Sequence, residues 1–207
     1  MNFDMKLITG KIKVVTGLHI GAGETEMHIG GTDNPVIKTA NSEPYIPGSS
    51  LKGKMRSLLR LYTGGDDDEH VVKLFGAGGD KKNAKPSCLS FWDCFLTEDW
   101  KKKQDKMYTE VKLENTISRE TGTSNNLRNT ERVLPSAEFD FKLTVKTYDG
   151  EDVLPVVLGV MKLLEMDALG GSGSRGYGKI KFEDLKIDGR DIQSELDSIK
   201  PFENRFA

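Results

Sequence analysis

The stretch from Gly170 to Gly178 contains five glycines, one arginine and one tyrosine in nine residues. Because this stretch has few side chains, a phosphate backbone could approach its main-chain N–H groups, and Arg175 would neutralise part of the phosphate charge. The stretch includes a GxGxxG pattern, but a dinucleotide fingerprint requires a strand before the glycines and a helix after them. Here the flanking sequence predicts the reverse order. Two interpretations remain: a phosphate-binding loop, or a helix-to-strand turn that needs glycine for its dihedral angles.

A second segment, from Tyr45 to Arg56, combines serines and cations at a predicted helix start. The sequence predicts Ser49 or Ser50 as the helix cap, followed by the cations Lys52, Lys54 and Arg56. Helix N-termini bind phosphate readily because their first amides are free. The other interpretation is a capped surface helix with a solvated basic flank.

The periodicity of apolar residues predicts the elements that hold these segments. The predicted strands cover 7–18, 87–96, 139–147 and 180–187; the predicted helices cover 49–62, 71–75, 153–169 and part of 191–207. The major elements follow the order strand, helix, strand, strand, helix, strand. This order predicts an α+β fold with a ferredoxin-like (RRM-like) βαββαβ core. We expect a single domain over residues 1–207, with large insertions at about 19–47, 64–86 and 109–135.

Composition limits the kind of surface that this chain can present. A formal net charge of −2 makes any nucleic-acid surface local rather than global. No run of about 18 apolar residues is present, which predicts a cytoplasmic chain without a membrane partner. Cys88 and Cys94 have no companion cysteine or histidine pair, so packed thiols on a strand are favoured over zinc binding or a disulfide.

Several separated motifs together resemble a known family. The stretches "IPGSSLKGKMRS" (46–57) and "GGSGSRGYGKI" (170–180) resemble the signatures of the RAMP superfamily of CRISPR proteins. Within that superfamily, the Gly30–Pro35 loop and the Leu113–Arg132 segment resemble the backbone subunits of type III-A (Csm) interference complexes. The resemblance extends from His19 to Ile180.

The resemblance implies a metal-dependent endoribonuclease that acts within an assembled complex. Its implied partners are a guide (CRISPR) RNA, a single-stranded target RNA, further copies of itself and other Csm-complex subunits. By the resemblance, Asp33 matches the aspartate that cleaves target RNA in the family. Composition alone would predict Asp33 to be a turn residue, because Asp and Asn before Pro35 favour turns. The RNA would supply its 2′-hydroxyl as nucleophile. Asp33 would hold a divalent ion, Mg²⁺, or assist proton transfer.

The resemblance also implies that the 109–135 insertion is a β-hairpin thumb that crosses the guide-target duplex. Ile117 and Leu127 are candidate wedge residues; a disordered linker is the alternative from composition. The predicted RNA contacts are His19, Ser49, Ser50, Lys52, Lys54, Arg56, Arg119, Arg128, Arg132, Gly171, Gly173, Arg175 and Gly176.

Two other functions are compatible with the family resemblance. One is a structural RNA-binding backbone subunit without catalysis, which the matching position of Asp33 disfavours. The other is a guide-processing ribonuclease that depends on histidine chemistry. The histidines are His19, His28 and His70, and none is flanked by a second candidate catalytic group. The second alternative is therefore the weaker one.

Overall fold

A computed structural model describes residues 2–23, 33–77 and 86–202, without the side chains of Asn125 and Asn126. In chain order the elements are β1 (Phe3–Val14), β2 (Tyr45–Ile46), α1 (Gly48–Thr63), α2 (Glu69–Phe75), β3 (Leu89–Phe91), β4 (Cys94–Phe95), α3 (Glu98–Lys101), β5 (Thr109–Ile117), β6 (Ser124–Val133), β7 (Glu138–Tyr148), α4 (Leu154–Met166), β8 (Ile180–Ile187), β9 (Arg190–Asp191) and α5 (Gln193–Ser198). A short 3-10 turn, Gly173–Arg175, lies between α4 and β8. The fold is mixed α/β with antiparallel sheets.

The central strand of the main sheet is β1. The strand order is β3-β7-β1-β8-β9, and every neighbouring pair is antiparallel. The pairing of β1 with β8 shifts at Gly10, where an added Cβ would lie 2.8 Å from Leu185 Cδ2. Glycine at this position therefore lets β8 approach β1 closely.

One hydrophobic core joins the sheet to the two long helices. Ile8 of β1 is buried in the same cluster as Met55 of α1 and Met161 of α4, and α1 packs against α4. Phe141 and Phe182 meet in this core with ring centroids 5.0 Å apart. The alternating pattern of the strands and the apolar faces of the helices produce this arrangement.

The start of α1 differs from the sequence prediction. The cap is Pro47, and neither serine caps the helix with its side chain. Instead, Asp93 accepts a hydrogen bond from the Gly48 N–H at 2.7 Å. The predicted serine cap is therefore wrong, because a carboxylate 45 residues away reaches the helix start. The helix ends at Thr63, one residue beyond the predicted bound of 62: Gly64 follows with φ 96°, and its N–H donates to the Arg60 carbonyl.

The predicted strand over 87–96 is two strands. β3 pairs with β7 in the main sheet, whereas β4 pairs with β2, and the chain turns at Trp92 and Asp93 between them. Cys88 and Cys94 are buried thiols that are not joined in a disulfide, as predicted, and burial raises the pKa of the Cys94 thiol to about 12. The first strand also begins earlier than predicted, at Phe3 instead of Leu7, and ends at Val14.

The polar segment predicted as a thumb forms a separate two-stranded sheet of β5 and β6. Their antiparallel pairing, which has one register shift between Glu114 and Thr116, excludes a disordered linker for the described part of this segment. Ile117 and Leu127, the predicted wedge residues, are 62% and 64% exposed on it. Among the described residues, no helix is long and apolar enough to span a membrane.

Candidate nucleic-acid interface

The base of the β5–β6 hairpin is joined to the chain that follows β1. Leu18 and Val133 exchange backbone hydrogen bonds of 3.1 and 2.7 Å. Asn34, on the next loop, forms a parallel bridge to Thr130. Strand β6 therefore holds two loops that are separate in sequence, and the candidate residues of both loops lie beside it.

Asp33 is exposed at the edge of this arrangement. Its Oδ2 accepts a hydrogen bond from the Asn129 N–H at 3.1 Å. The next residue, Asn34, is hydrogen-bonded to β6 through both of its backbone groups. Its N–H donates to the Asn129 carbonyl, and its carbonyl accepts from the Glu131 N–H. Within the described residues, Oδ1 of Asp33 has no partner and is available to a ligand. Gly30, Gly31 and Thr32 of the predicted loop lie outside the described residues.

Glu131 of β6 is a buried carboxylate that the sequence analysis missed. It is 6% exposed and accepts hydrogen bonds from the Val36 N–H at 3.0 Å, Lys38 Nζ at 2.7 Å and Thr109 Oγ1 at 2.7 Å. Burial by itself raises the pKa of this carboxyl, but these hydrogen bonds outweigh burial and hold the pKa below its ordinary value. Glu131 thus joins the Asp33 loop to both strands of the hairpin.

A signal for Glu131 was present in the sequence. In a strand, residues two apart face the same side, so Glu131 shares a face with Val133. An apolar residue two positions away indicates that this face is turned toward the protein. The polar composition of the whole segment obscured that alternation.

His19 lies where the two loops meet. Its Nδ1 is 2.7 Å from the Glu131 carbonyl oxygen, which can only accept, so Nδ1 is the donor of this hydrogen bond. The ring also lies against Gly171, where an added Cβ would be 3.4 Å from His19 Cδ2. His19 therefore contacts the hairpin on one side and the glycine-rich loop on the other.

The glycine-rich loop is fixed by backbone contacts. The Gly171 N–H donates to the His19 carbonyl at 2.8 Å, and the Gly178 N–H donates to the Gly17 carbonyl at 3.0 Å. Gly170 and Gly178 have φ of 76° and 69°, and an added Cβ would lie 2.2 and 1.9 Å from a carbonyl oxygen. Both positions therefore require glycine.

The tip of this loop, in contrast, retains free donors. Within the described residues, the amides of Ser172, Gly173 and Ser174 donate no hydrogen bond. Gly176 has φ 86° and open space around its Cα. The tip thus combines both roles that the sequence left open: it is a turn that needs glycine, and it presents unpaired N–H groups to solvent.

Tyr177 connects the glycine-rich loop to the hairpin. Its buried ring has Lys112 Nζ 4.6 Å and Arg132 Cζ 5.0 Å from the centroid, and its hydroxyl donates to Glu114 at 2.8 Å. That bond, with the nearby Lys112 and Arg175 charges, lowers the pKa of Glu114. Arg132 also donates to Glu110 at 2.6 Å. Predicted as an RNA contact, Arg132 is only partly accessible in this arrangement.

A polar cleft of about 280 Å³ lies between the loop and the hairpin. Arg175 from the loop and Arg128 from β6 line it together with Lys112 and Glu114. Three cations against one carboxylate give the cleft a net positive charge. Arg119, in contrast, is exposed at the turn between β5 and β6 and does not line this cleft.

The basic flank of α1 is a second group of cations. Lys54 pairs with Asp167 at 2.6 Å, and Arg56 lies 3.9 Å from Asp66. Lys52 has no ion pair within the described residues. Ser49 is exposed and Ser50 half-buried at the helix start. Of the three predicted cations, Lys52 is thus the one whose charge no described carboxylate offsets.

The described residues contain no group of three or more histidine, cysteine or carboxylate side chains able to hold a metal ion. Asp33 offers one carboxylate with one oxygen already hydrogen-bonded. Most ligands of a bound ion would therefore have to come from elsewhere.

The other two histidines do not join the site within the described residues. His70 lies at the start of α2, beside Glu69, and shares no described contact with His19 or Asp33; His28 lies outside the described residues.

This fold and this set of residues define a class of protein. The sequence profile of the RAMP superfamily matches residues 11–181, and the chain belongs to that superfamily. It is 43% identical over 201 residues to the "CRISPR system Cms endoribonuclease Csm3" of Streptococcus thermophilus, covering 90% of each chain. It is 41% identical over 198 residues to the protein of that name from Methanocaldococcus jannaschii, covering 87% of this chain and 79% of the relative. The chain is a homologue of these Csm3 proteins.

Two solved structures resemble the fold. One is a chain in the crystal structure of the Csm3-Csm4 subcomplex of the type III-A CRISPR-Cas interference complex. The match has TM-score 0.62 and 29% identity, and it covers 97% of this chain and 99% of the other. It also matches the cryo-EM structure of the type III-B Cmr-beta complex bound to cognate target RNA, with TM-score 0.68. That match has 18% identity and covers 88% of this chain and 60% of the other, so it concerns the fold alone.

Proposed function

We propose that this chain is a repeating backbone subunit of a type III-A CRISPR effector complex that binds guide RNA and cleaves the paired target RNA at regular intervals. The relatives named as endoribonucleases support the activity, and the similarity to a type III-A subcomplex supports the subtype. The observation that carries the proposal is the joining of Asp33, His19 and the glycine-rich loop around β6.

The guide RNA would lie against the glycine-rich loop and the basic flank of α1. The free amides of Ser172 and Gly173 and the side chain of Arg175 are donors for phosphate oxygens. Lys52 adds a cation that no described carboxylate neutralises. Arg128 on the hairpin faces the same cleft as Arg175, so one phosphate backbone could contact both elements.

In the proposed cleavage step, the target RNA supplies its own 2′-hydroxyl. The oxygen attacks the adjacent phosphorus and loses its proton, and the bond to the 5′-oxygen breaks. The leaving 5′-oxygen takes up a proton from water, which gives a 2′,3′-cyclic phosphate and a 5′-hydroxyl end. The unpartnered Oδ1 of Asp33 is available to accept the proton, while the bond from Asn129 to Oδ2 holds the carboxylate in place.

We propose Mg²⁺ as the cofactor of this site. A divalent ion would offset charge at the scissile phosphate. In that role Asp33 would contribute one ligand through Oδ1 instead of accepting the proton, and phosphate oxygens and water would complete the shell, because Mg²⁺ commonly retains several water ligands.

The proposed fold is a single ferredoxin-like domain with insertions at about 19–47, 64–86 and 109–135. In support, β1, β3, β7 and β8 form one antiparallel sheet in the order β3-β7-β1-β8, with α1 after β1 and α4 after β7. Further copies of the chain and other complex subunits are the proposed protein partners, in the cytoplasm.

The test is cleavage of a matched target by the reconstituted complex that carries Asp33→Ala. We expect the single-turnover rate to fall by about 10²–10⁴ with guide and target still bound. The control is Asp99→Ala, which removes an exposed carboxylate of α3. Cleavage at the original rate by the Asp33 variant, with RNA still bound, would show that the catalytic assignment of Asp33 is wrong.

A further inference from the structure

The five-stranded sheet has one buried and one open face. On β1, Ile8 and Ile12 point into the core, whereas the side chains between them point to the other side. One row crosses the middle of the open face: Thr9 of β1 is flanked by Lys142 of β7 and Lys186 of β8. The interior of the sheet therefore presents two lysines side by side, one on each neighbour of the central strand.

Trp92 lies over the end of this row. Its Nε1 donates to Thr144 Oγ1 at 3.1 Å, and Lys142 Nζ lies 5.6 Å from its ring centroid. Both partners belong to the open face of β7. Nevertheless, 49% of this tryptophan is exposed. The contacts hold a large aromatic side chain against the sheet, while about half of its surface remains available to a partner.

The lysines of this region lack carboxylate partners. Lys142, Lys146 and Lys186 form no ion pair within the described residues. In contrast, Lys11 pairs with Glu138 at 3.5 Å and Asp184 at 3.3 Å at the other end of the same face. The open face thus has paired charges at the end nearer the hairpin, whereas the three lysines over its middle form no described ion pair, although Asp191 of β9 lies opposite Lys186 in the sheet.

Apolar side chains continue the region toward the start of β1. Phe3 and Met5 are 54% and 55% exposed, and Phe3 packs on Tyr148 with centroids 5.5 Å apart. Leu7 lies opposite Thr144, one row from Trp92. Exposed rings and apolar groups beside unpaired cations form a surface suited to bases and phosphates together.

We propose that this open face, defined by Trp92, Lys142, Lys146, Lys186 and Phe3, is a second binding surface for single-stranded RNA. Unpaired bases would stack on Trp92 while the three lysines neutralise phosphates. The charges favour RNA over a second copy of the chain as occupant. A second copy would have to supply three matching carboxylates, whereas a polyanion matches the lysines along its whole length.

The surface is separate from the proposed guide-binding and cleavage site. That site lies beyond the C-terminal end of β1, at Leu18 and Asp33, whereas the open face covers the interior of the strands. The inference therefore does not depend on the proposed roles of Asp33 or the glycine-rich loop.

Tryptophan fluorescence of the full chain gives a direct test, since Trp92 is exposed and the other tryptophan, Trp100, is 5% exposed. Titration with a 20-nucleotide single-stranded oligouridine should quench the emission. The quenching should persist in Trp100→Phe and disappear in Trp92→Phe. Quenching that remains in Trp92→Phe would overturn the proposal. So would a change in Trp92 emission with protein concentration in the absence of RNA, because it would assign the face to self-association.

Affinity measurements supply the second arm. In a background that carries Arg128→Ala and Arg175→Ala, so that the other site is weakened, Trp92→Ala should reduce oligouridine affinity by roughly 5- to 150-fold. Lys142→Ala with Lys186→Ala should lower the slope of log affinity against log salt by about 1.4. The matched control, Lys103→Ala with Lys106→Ala, removes two exposed lysines after α3 and should leave both quantities unchanged. Equal effects of the two lysine pairs would refute a specific surface.

Discussion

Replacement of Glu131 by glutamine should destabilise the protein and slow target cleavage more than it weakens RNA binding. A glutamine keeps one carbonyl oxygen but places an NH₂ group where the second carboxylate oxygen stood. That group then faces either the Val36 N–H or the Lys38 and Thr109 donors, and a donor cannot accept from them.

The structure sets the size of the effect. Val36 is 2% exposed, so its N–H cannot find water if it loses its acceptor. An unsatisfied buried donor costs about 1–3 kcal/mol. In that orientation the Lys38 ammonium keeps a neutral acceptor oxygen and loses only its anionic partner; because the Lys38 side chain is 32% exposed, this adds only about 1 kcal/mol. Together these give about 2–4 kcal/mol, which for a chain of this size lowers Tm by roughly 5–15 °C.

The loss of stability should depend on pH. The folded pKa of Glu131 lies below its ordinary value of 4.5, so the wild-type carboxylate contributes its full stability above that value. The contribution is lost as the pH falls through the lowered folded pKa. The difference in unfolding free energy between wild type and Glu131→Gln should therefore be constant near neutral pH and should shrink below about pH 4.5.

Chemical denaturation across pH and single-turnover cleavage measure these effects. A shift of the Asp33 loop should slow cleavage by roughly 10- to 100-fold, because a small misplacement of a reacting group has that consequence. Glu195→Gln is the control; its exposed ion pair with Arg190 should contribute less than about 1 kcal/mol. If both variants lost the same stability, or if guide binding fell as far as cleavage, Glu131 would not be a positioning residue.

Two further predictions concern the loop and the basic helix. Gly178→Ala should destabilise the protein by about 3 kcal/mol or more, because its Cβ would overlap the Leu169 carbonyl, whereas Gly176→Ala, with similar φ but open space, should cost only about 1 kcal/mol in thermal unfolding. Equal costs would contradict the packing argument. Lys52→Ala with Arg56→Ala should weaken guide binding and flatten its salt dependence by a slope of about 1.4, and an unchanged salt series would exclude both contacts.

Sequence patterns predicted the regular elements well where one physical signal dominated. Strand β7 alternates apolar and polar residues and appears within one residue of the predicted bounds. Helix α1 ends at Thr63, because the next residue, Gly64, adopts the left-handed backbone conformation that terminates the helix. The strand over 87–96 was predicted as continuous, since no local signal marks the chain's change of sheet between β3 and β4.

The candidate site was only partly predictable. Single motifs identified the glycine-rich loop, the basic helix and, through family resemblance, Asp33. Their connections were not visible, because the Asp33 loop meets β6 across about a hundred residues of chain and Glu131 unites them through tertiary hydrogen bonds. Likewise, the pairing of Lys54 with Asp167 joins two elements that are distant in sequence. Whether the predicted RNA contacts bind RNA remains a prediction.

The central position of β1 has a consequence for how the chain folds. This first strand pairs with β7 and β8, so the sheet cannot close until residues near 187 have been synthesised. Such long sequence separations slow folding. The sheet should nevertheless tolerate changes in the length of the intervening loops, because each doubling of a loop's length adds only about 0.6 kcal/mol of closure entropy. The same topology that delays folding therefore allows the loops that connect the packed elements between β1 and β7 to lengthen or shorten at small thermodynamic cost.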